Sequence, residues 1–400
     1  MLLLCVACAP REPAACTHLK GLLSRCVGTT AARLDCSTVT DSDVQRLTDV
    51  VEGTSCEVLV SALPADGNLQ SATCRMFNVG CVAPASPAPR HQPTRYPVVL
   101  VNGIDTSPLF RYSDRIVDML REGGGHDVHL ATLTPYEPPR RRAPELWRRV
   151  RAILEATHAD KVNLVCHSLG GLDCRWLVSP GGFALDAPAG EDPASKVASI
   201  TTFGTAHRGT RAVDLMLGLV PGGDAEEAID DFAAVAGDWF TPEALERDPA
   251  VRDALNALTT VAAEAFNAET PDAPHVYYQS YAGLSHPLGE TTAAAEQRAA
   301  ELCRADDVSD ATRSTGGRDD MALTLVPFDA VVSTKDGARL PHDGLVSVDS
   351  ARWGVFRGCV PADHMEQLGQ RNLPDVNVTT GVDIARFYTE LAADLALKGL

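Results

Sequence analysis

The chain has 400 residues, 53 of them acidic and 35 basic, giving a formal charge of −18. Such a surface excludes nucleic acid as a partner, because phosphate contacts need a basic face. Apolar residues make up 45% and charged ones 22%, which supports a packed core and excludes bulk disorder. No apolar run approaches the roughly 20 residues of a membrane helix, so no transmembrane segment is expected.

The start, Met1-Leu2-Leu3-Leu4-Cys5-Val6-Ala7-Cys8, resembles the tail of an export signal closing on small residues before a cysteine, as in a bacterial lipoprotein box. Residues 1–15 are therefore read as a signal remnant, with Cys8 as a candidate lipid anchor. Six of the 12 cysteines (Cys16, Cys26, Cys36, Cys56, Cys74, Cys81) lie in residues 16–81. They form no C-x-x-C pair and have only His18 nearby, so zinc-ligand spacing is absent. An even set in a short segment reads as three disulfides closed within a small module. The protein is then expected to be secreted, periplasmic or at the cell surface. A short amphipathic helix is expected at Ser42–Val51, and residues 82–95, with Pro84, Pro87, Pro89 and Pro93, read as a linker.

From Tyr96 the pattern changes. Strand Pro97–Val101, helix Tyr112–Glu122, strand His126–Leu133, helix Glu145–Thr157, strand Lys161–Cys166 and helix Leu172–Val178 alternate, and further strands fit Val197–Phe203, His275–Tyr281 and Ala322–Val326. Alternation of this kind predicts a mostly parallel sheet covered by helices. Amphipathic helices are expected around Ala225–Ala236 and Ala250–Phe266.

Chemistry enters where the apolar strand runs into Cys166-His167-Ser168-Leu169-Gly170-Gly171 and turns at once into a helix. A serine on so tight a strand-to-helix turn projects its hydroxyl above the sheet. Small residues two positions either side let the turn close, the role of the glycines in G-x-S-x-G; here the first of them is Cys166. A serine alcohol needs a base and an orienting carboxylate. Downstream, Asp343 in His342-Asp343-Gly344 and His364 in Asp363-His364-Met365-Glu366 supply that order, while His207 is expected to shape the site wall.

The chain from Tyr96 to about Arg371 resembles the secreted bacterial triacylglycerol lipases of the Pseudomonas and Burkholderia type. Five blocks, in the same order, carry the resemblance: Tyr96–Gly103, Lys161–Leu172, Ile200–Gly209, Asp253–Thr259 and His342–Ser347. It implies an α/β-hydrolase fold over residues 96–400, with a helical lid at about 214–270, and cleavage of carboxylic esters through an acyl-enzyme. Ser168 would be the nucleophile, His364 the base and Asp343 its orienting acid. The N–H groups of Ile104 and Leu169 would form the oxyanion hole. Where the family carries His-Gly, this chain carries Asn102-Gly103.

No cofactor is implied for the chemistry. A structural calcium is, held by the carboxylates of Asp320 and Glu366 and the carbonyls of Gln370 and Pro374. The substrate class is lipid or another ester. The alternatives are a hydrolase-fold binder of lipid or partner without turnover, and an acyltransferase. Cys303 and Cys359 are expected to bridge; Cys166 and Cys174 are expected to stay reduced.

Overall fold

The computed structural model describes residues 14–27, 44–45, 48, 51–52, 86–107, 110–185, 187–219, 249–287, 291–305, 319–322, 325–335, 338–369, 377 and 380–400. The chain divides into two compact units, residues 1–84 with 372–378, and residues 85–371 with 379–400.

In the first unit, helix α1 (Ala14–Val27) buries Cys16, Leu19 and Leu23. These positions share one face of a helix. Cys16 and Cys26 are both disulfide-bonded. Ten residues of helix separate them by about 15 Å, too far to bridge each other, so each closes on a different cysteine. The other four cysteines of the expected module, Cys36, Cys56, Cys74 and Cys81, lie outside the described residues, as does most of Ser42–Val51.

The second unit is built on a sheet whose described strands are β1 (Val98–Val101), β2 (Val128–Ala131), β3 (Val162–His167), β4 (Val197–Phe203), β5 (Tyr277–Gly283) and, after a two-residue ribbon of β6 (Thr334–Lys335) and β7 (Ala338–Arg339), β8 (Val355–Val360). Their order is β2-β1-β3-β4-β5-β8, with every neighbouring pair parallel. β1, β3 and β4 are buried at every position, as a parallel sheet covered on both faces requires.

Side chains alternate between two cores. Leu100, Val165, Phe203 and Tyr281 meet Phe387, Tyr388 and Leu391 of the carboxy-terminal helix on one face. On the other, Val101, Leu164, Cys166 and Ile200 meet helices α2 (Pro139–Thr157) and α3 (Leu169–Val178). The fold is that of an α/β-hydrolase.

Several elements differ from the sequence reading. Ala322–Val326 forms no strand among its described residues; the last strand among the described residues is β8, whose apolar run is interrupted by Arg357 and Gly358. Helix α2 starts at Pro139, six residues before Glu145, because proline suits the first turn of a helix. The expected helix Ala250–Phe266 is two, Pro249–Asn256 and Thr260–Glu269, split where Thr259 caps the second through its hydroxyl. The proposed lid falls largely in residues 220–248, outside the described residues. Residues 86–95 form no regular element yet are docked, since Arg90 pairs with Glu390 at 2.5 Å and Asp394 at 2.7 Å.

The cysteine pairing needs one correction. Cys303 and Cys359 bridge as expected. Cys166 and Cys174, expected reduced, are also disulfide-bonded. Helix α3 folds back over β3, which returns its sixth residue to the face on which the Cys166 side chain already lies, and both sulfurs sit in one core.

Candidate active site

Ser168 is the single residue between β3 and α3, and its backbone is forced to φ 53°, ψ −128°. Such a conformation costs a non-glycine residue about 1 to 3 kcal/mol and is held only where surroundings over-determine it. The turn is held on both sides: Ser168 N–H donates to the Phe203 carbonyl at 3.1 Å, and Thr205 Oγ1 donates to the Ser168 carbonyl at 2.8 Å. The turn also needs glycine around it. A Cβ on Gly170 would lie 2.5 Å from the Asn102 carbonyl oxygen, and one on Gly103 3.0 Å from the Ser168 Cβ.

His364 Nε2 lies 3.0 Å from Ser168 Oγ, and its Nδ1 lies 2.9 Å from Asp343 Oδ2. The two rings of contact are closed by backbone as well, since His364 N–H donates to the Asp343 carbonyl at 2.9 Å. With Nδ1–H donating to the carboxylate, Nε2 presents its lone pair to the serine hydroxyl. Asp343 Oδ1 accepts the N–H groups of Leu345 and Val346, and Oδ2 also accepts Gln367 Nε2 at 2.7 Å. Burial alone would raise this carboxyl, but the facing His364 and these donors hold it below the usual aspartate range.

His167, next to Ser168, sets its Nε2 3.2 Å from the His364 carbonyl, and burial first, then the His364 charge, keeps its ring well below the ordinary histidine value. Asn102 braces the loop that follows β1. Its Oδ1 accepts Leu133 N–H at 2.7 Å, while its Nδ2 donates to the Gly103 carbonyl at 2.9 Å. Ile104 lines the cleft. Leu169 opens α3, where the first N–H groups have no partner within the helix and form the positive end of its dipole.

The cleft above Ser168 is lined almost wholly by apolar side chains, among them Phe110, Val213, Met216, Leu255, Leu258 and Val346. Such a wall takes a hydrocarbon group.

His207 faces away from this chemistry. Its Nε2 is 3.0 Å from Thr202 Oγ1, its Nδ1 3.3 Å from Arg175, and its ring stacks on Trp353. Burial and the nearby Arg175 and Arg208 keep it neutral.

Of the residues expected to hold calcium, Glu366 is gathered with two other buried carboxylates, Asp319 and Asp363, their ligand atoms within 4.8 Å of one another. Asp320, the residue expected, is not part of this group; its neighbour Asp319 is, because successive side chains on an extended segment point opposite ways. Gln370 and Pro374 lie outside the described residues. Three buried carboxylates form an all-oxygen donor set of the kind that suits a hard cation.

Site and fold define a class: an α/β-hydrolase with serine, histidine and aspartate in hydrogen-bonded series. No family model matches the chain. It is similar to the triacylglycerol lipase of Burkholderia plantarii, 28% identical over 321 residues that cover 73% of this chain and 85% of the relative. It is also similar to those of Pseudarthrobacter phenanthrenivorans (28%, covering 69% and 89%) and Vibrio cholerae (28%, covering 77% and 89%). Among solved structures, Staphylococcus hyicus lipase is 18% identical, covering 78% of this chain and 98% of that one, with a TM-score of 0.48. The chain is a carboxylic-ester hydrolase that resembles the bacterial triacylglycerol lipases.

Gln367 was not visible from the sequence as part of the site. Its only signal is the spacing of three from His364, which brings it back beside Asp343 through the short helix Glu366–Leu368.

Proposed function

We propose that the chain hydrolyses lipid acyl esters with Ser168 as nucleophile, His364 as general base and acid, and Asp343 as the carboxylate that orients it. The observation that carries this reading is the unbroken series Ser168 Oγ, His364, Asp343, with gaps of 3.0 and 2.9 Å. Ser168 Oγ attacks the ester carbonyl carbon as His364 Nε2 takes its proton. The tetrahedral oxyanion is met by the N–H groups of Ile104 and Leu169. Collapse breaks the bond to the alcohol, which leaves with the proton from His364 and yields the acyl-enzyme. Water then attacks the acyl carbon, giving its proton to His364, and the acid departs as Ser168 regains a hydrogen. The acyl chain occupies the apolar cleft.

Calcium at Asp319, Asp363 and Glu366 is part of this proposal. When bound it would supply charge neutralisation to a loop that starts at the residue before His364. Export is the other part: bonded Cys16 and Cys26 and the Cys166–Cys174 and Cys303–Cys359 bridges support folding in an oxidising compartment. A lipid anchor on Cys8 would hold the enzyme at a surface; that residue lies outside the described ones.

A p-nitrophenyl ester series of increasing acyl length tests the reading. Wild type should turn over and be labelled by an organophosphonate ester at Ser168, and Ser168→Ala should lose both. Binding of lipid without turnover or labelling would overturn it.

A further inference from the structure

Beneath the cleft lies a charged pair that the reaction does not touch. Arg142 on α2 and Asp173 on α3 are both 0% exposed, and Arg142 Nη2 stands 3.0 Å from Asp173 Oδ2. As a stabilising element the pair is poor. Neither Asp173 oxygen accepts an aligned hydrogen bond, and a buried ion pair without such bonds returns less than its desolvation costs. An apolar pair of the same volume would serve stability better.

What the pair does have is position. Arg142 Nη1 donates to the Gly103 carbonyl at 2.7 Å, and Nη2 to the Asn102 carbonyl at 2.9 Å. The Gly103 carbonyl and the Ile104 N–H belong to one planar peptide and point in opposite directions. Fixing the carbonyl therefore fixes the direction of the N–H. Asp173 belongs to the helix that begins at Leu169, so it ties the guanidinium to the element carrying the second N–H. Both expected oxyanion donors are referred to one buried charge contact.

We propose that Asp173 is a positioning residue of the oxyanion hole, acting through Arg142 to set the Ile104 N–H against the Leu169 N–H. This rests on the hydrolase reading above, with those two groups as donors. Burial pushes the Asp173 carboxyl up to about 7, opposed by Arg142 and assisted by the Glu145 charge on α2. The carboxylate form is therefore complete only above neutral pH.

The test is steady-state hydrolysis of p-nitrophenyl butyrate by wild type, Asp173→Asn and Arg142→Lys, with inhibition by phenylboronic acid, whose serine adduct is tetrahedral and anionic. Asp173→Asn should lower kcat about tenfold with KM within twofold, and weaken boronate inhibition by a similar factor. The loss should be full at pH 8.5 and shrink below pH 7, where the wild-type carboxyl is itself protonated. Arg142→Lys, which reaches at most one of the carbonyls together with the carboxylate, should show the same split and serves if Asp173→Asn does not fold. Variants with a lowered melting temperature but wild-type kcat and boronate affinity would overturn the proposal and leave the pair a packing element. A wild type without turnover would instead overturn the hydrolase reading.

Discussion

The serine and the histidine of this site are held by opposite means. Ser168 is fixed mostly by main chain: a strained φ, an N–H given to the Phe203 carbonyl and glycines that let neighbouring backbone press close, with the Thr205 hydroxyl the one side chain added, on its carbonyl. His364 is fixed mostly by side chains, through Asp343, 21 residues earlier, and Gln367, three residues later, which donates to the same carboxylate, with one backbone bond to the Asp343 carbonyl. A backbone-built position tolerates little and needs few partners. One built from side chains can be adjusted piece by piece, and each piece has a separable effect.

That contrast can be broken most severely at its side-chain half. His364→Ala should lower kcat by about 10⁴-fold or more, as removal of a triad base does. His207→Ala, whose ring touches Thr202, Arg175 and Trp353, should keep labelling of Ser168 by a phosphonate. Wild-type rates in His364→Ala with activity lost in His207→Ala would reassign the base.

A finer cut is Gln367→Leu, which removes one donor from Asp343 Oδ2 but leaves the backbone N–H groups on Oδ1. The expected loss in kcat is about tenfold. Gln367→Glu should do worse and move the acid limb of kcat to higher pH, because a second carboxyl there raises the first. Equal activity across all three would make Gln367 a filler.

Chelation addresses the same loop from outside. With a cation on Asp319, Asp363 and Glu366, EGTA should lower the melting temperature by several degrees, restored by calcium and not by magnesium. An unchanged midpoint at low ionic strength would remove the ion from the proposal.

The smallest effect concerns acid. Because the folded Asp343 carboxyl lies below its unfolded value, it contributes stability above about pH 4 that is lost as pH falls through the folded value. Melting curves between pH 2 and 5 should therefore slope less in Asp343→Asn than in wild type, and parallel curves would count against the depressed carboxyl.

The same contrast sets what could be read from the sequence. The Ser168 turn is legible because strand, turn and helix are contiguous, whereas Phe203 and Thr205, which hold it, come from the next strand and its loop. Asp343 and His364 were legible from their order after Ser168 and from the resemblance of the surrounding blocks. Arg142 sits among three successive arginines, and nothing local marks the one that turns inward to the carbonyls of Asn102 and Gly103. The choice between Asp319 and Asp320 depends on which way an extended segment faces. β8 is hidden in the sequence because Arg357, paired with Asp394 in the core, breaks its apolar run.

The bridge between Cys166 and Cys174 turns the helix that follows Ser168 into its own reporter. Both residues are 0% exposed, so a small reductant reaches the sulfurs only when α3 lifts from the sheet, and alkylation then records that event permanently. Mass spectrometry of trapped thiols, followed over time, thus clocks the opening of the elbow in an enzyme that is otherwise silent between turnovers, with no substrate present.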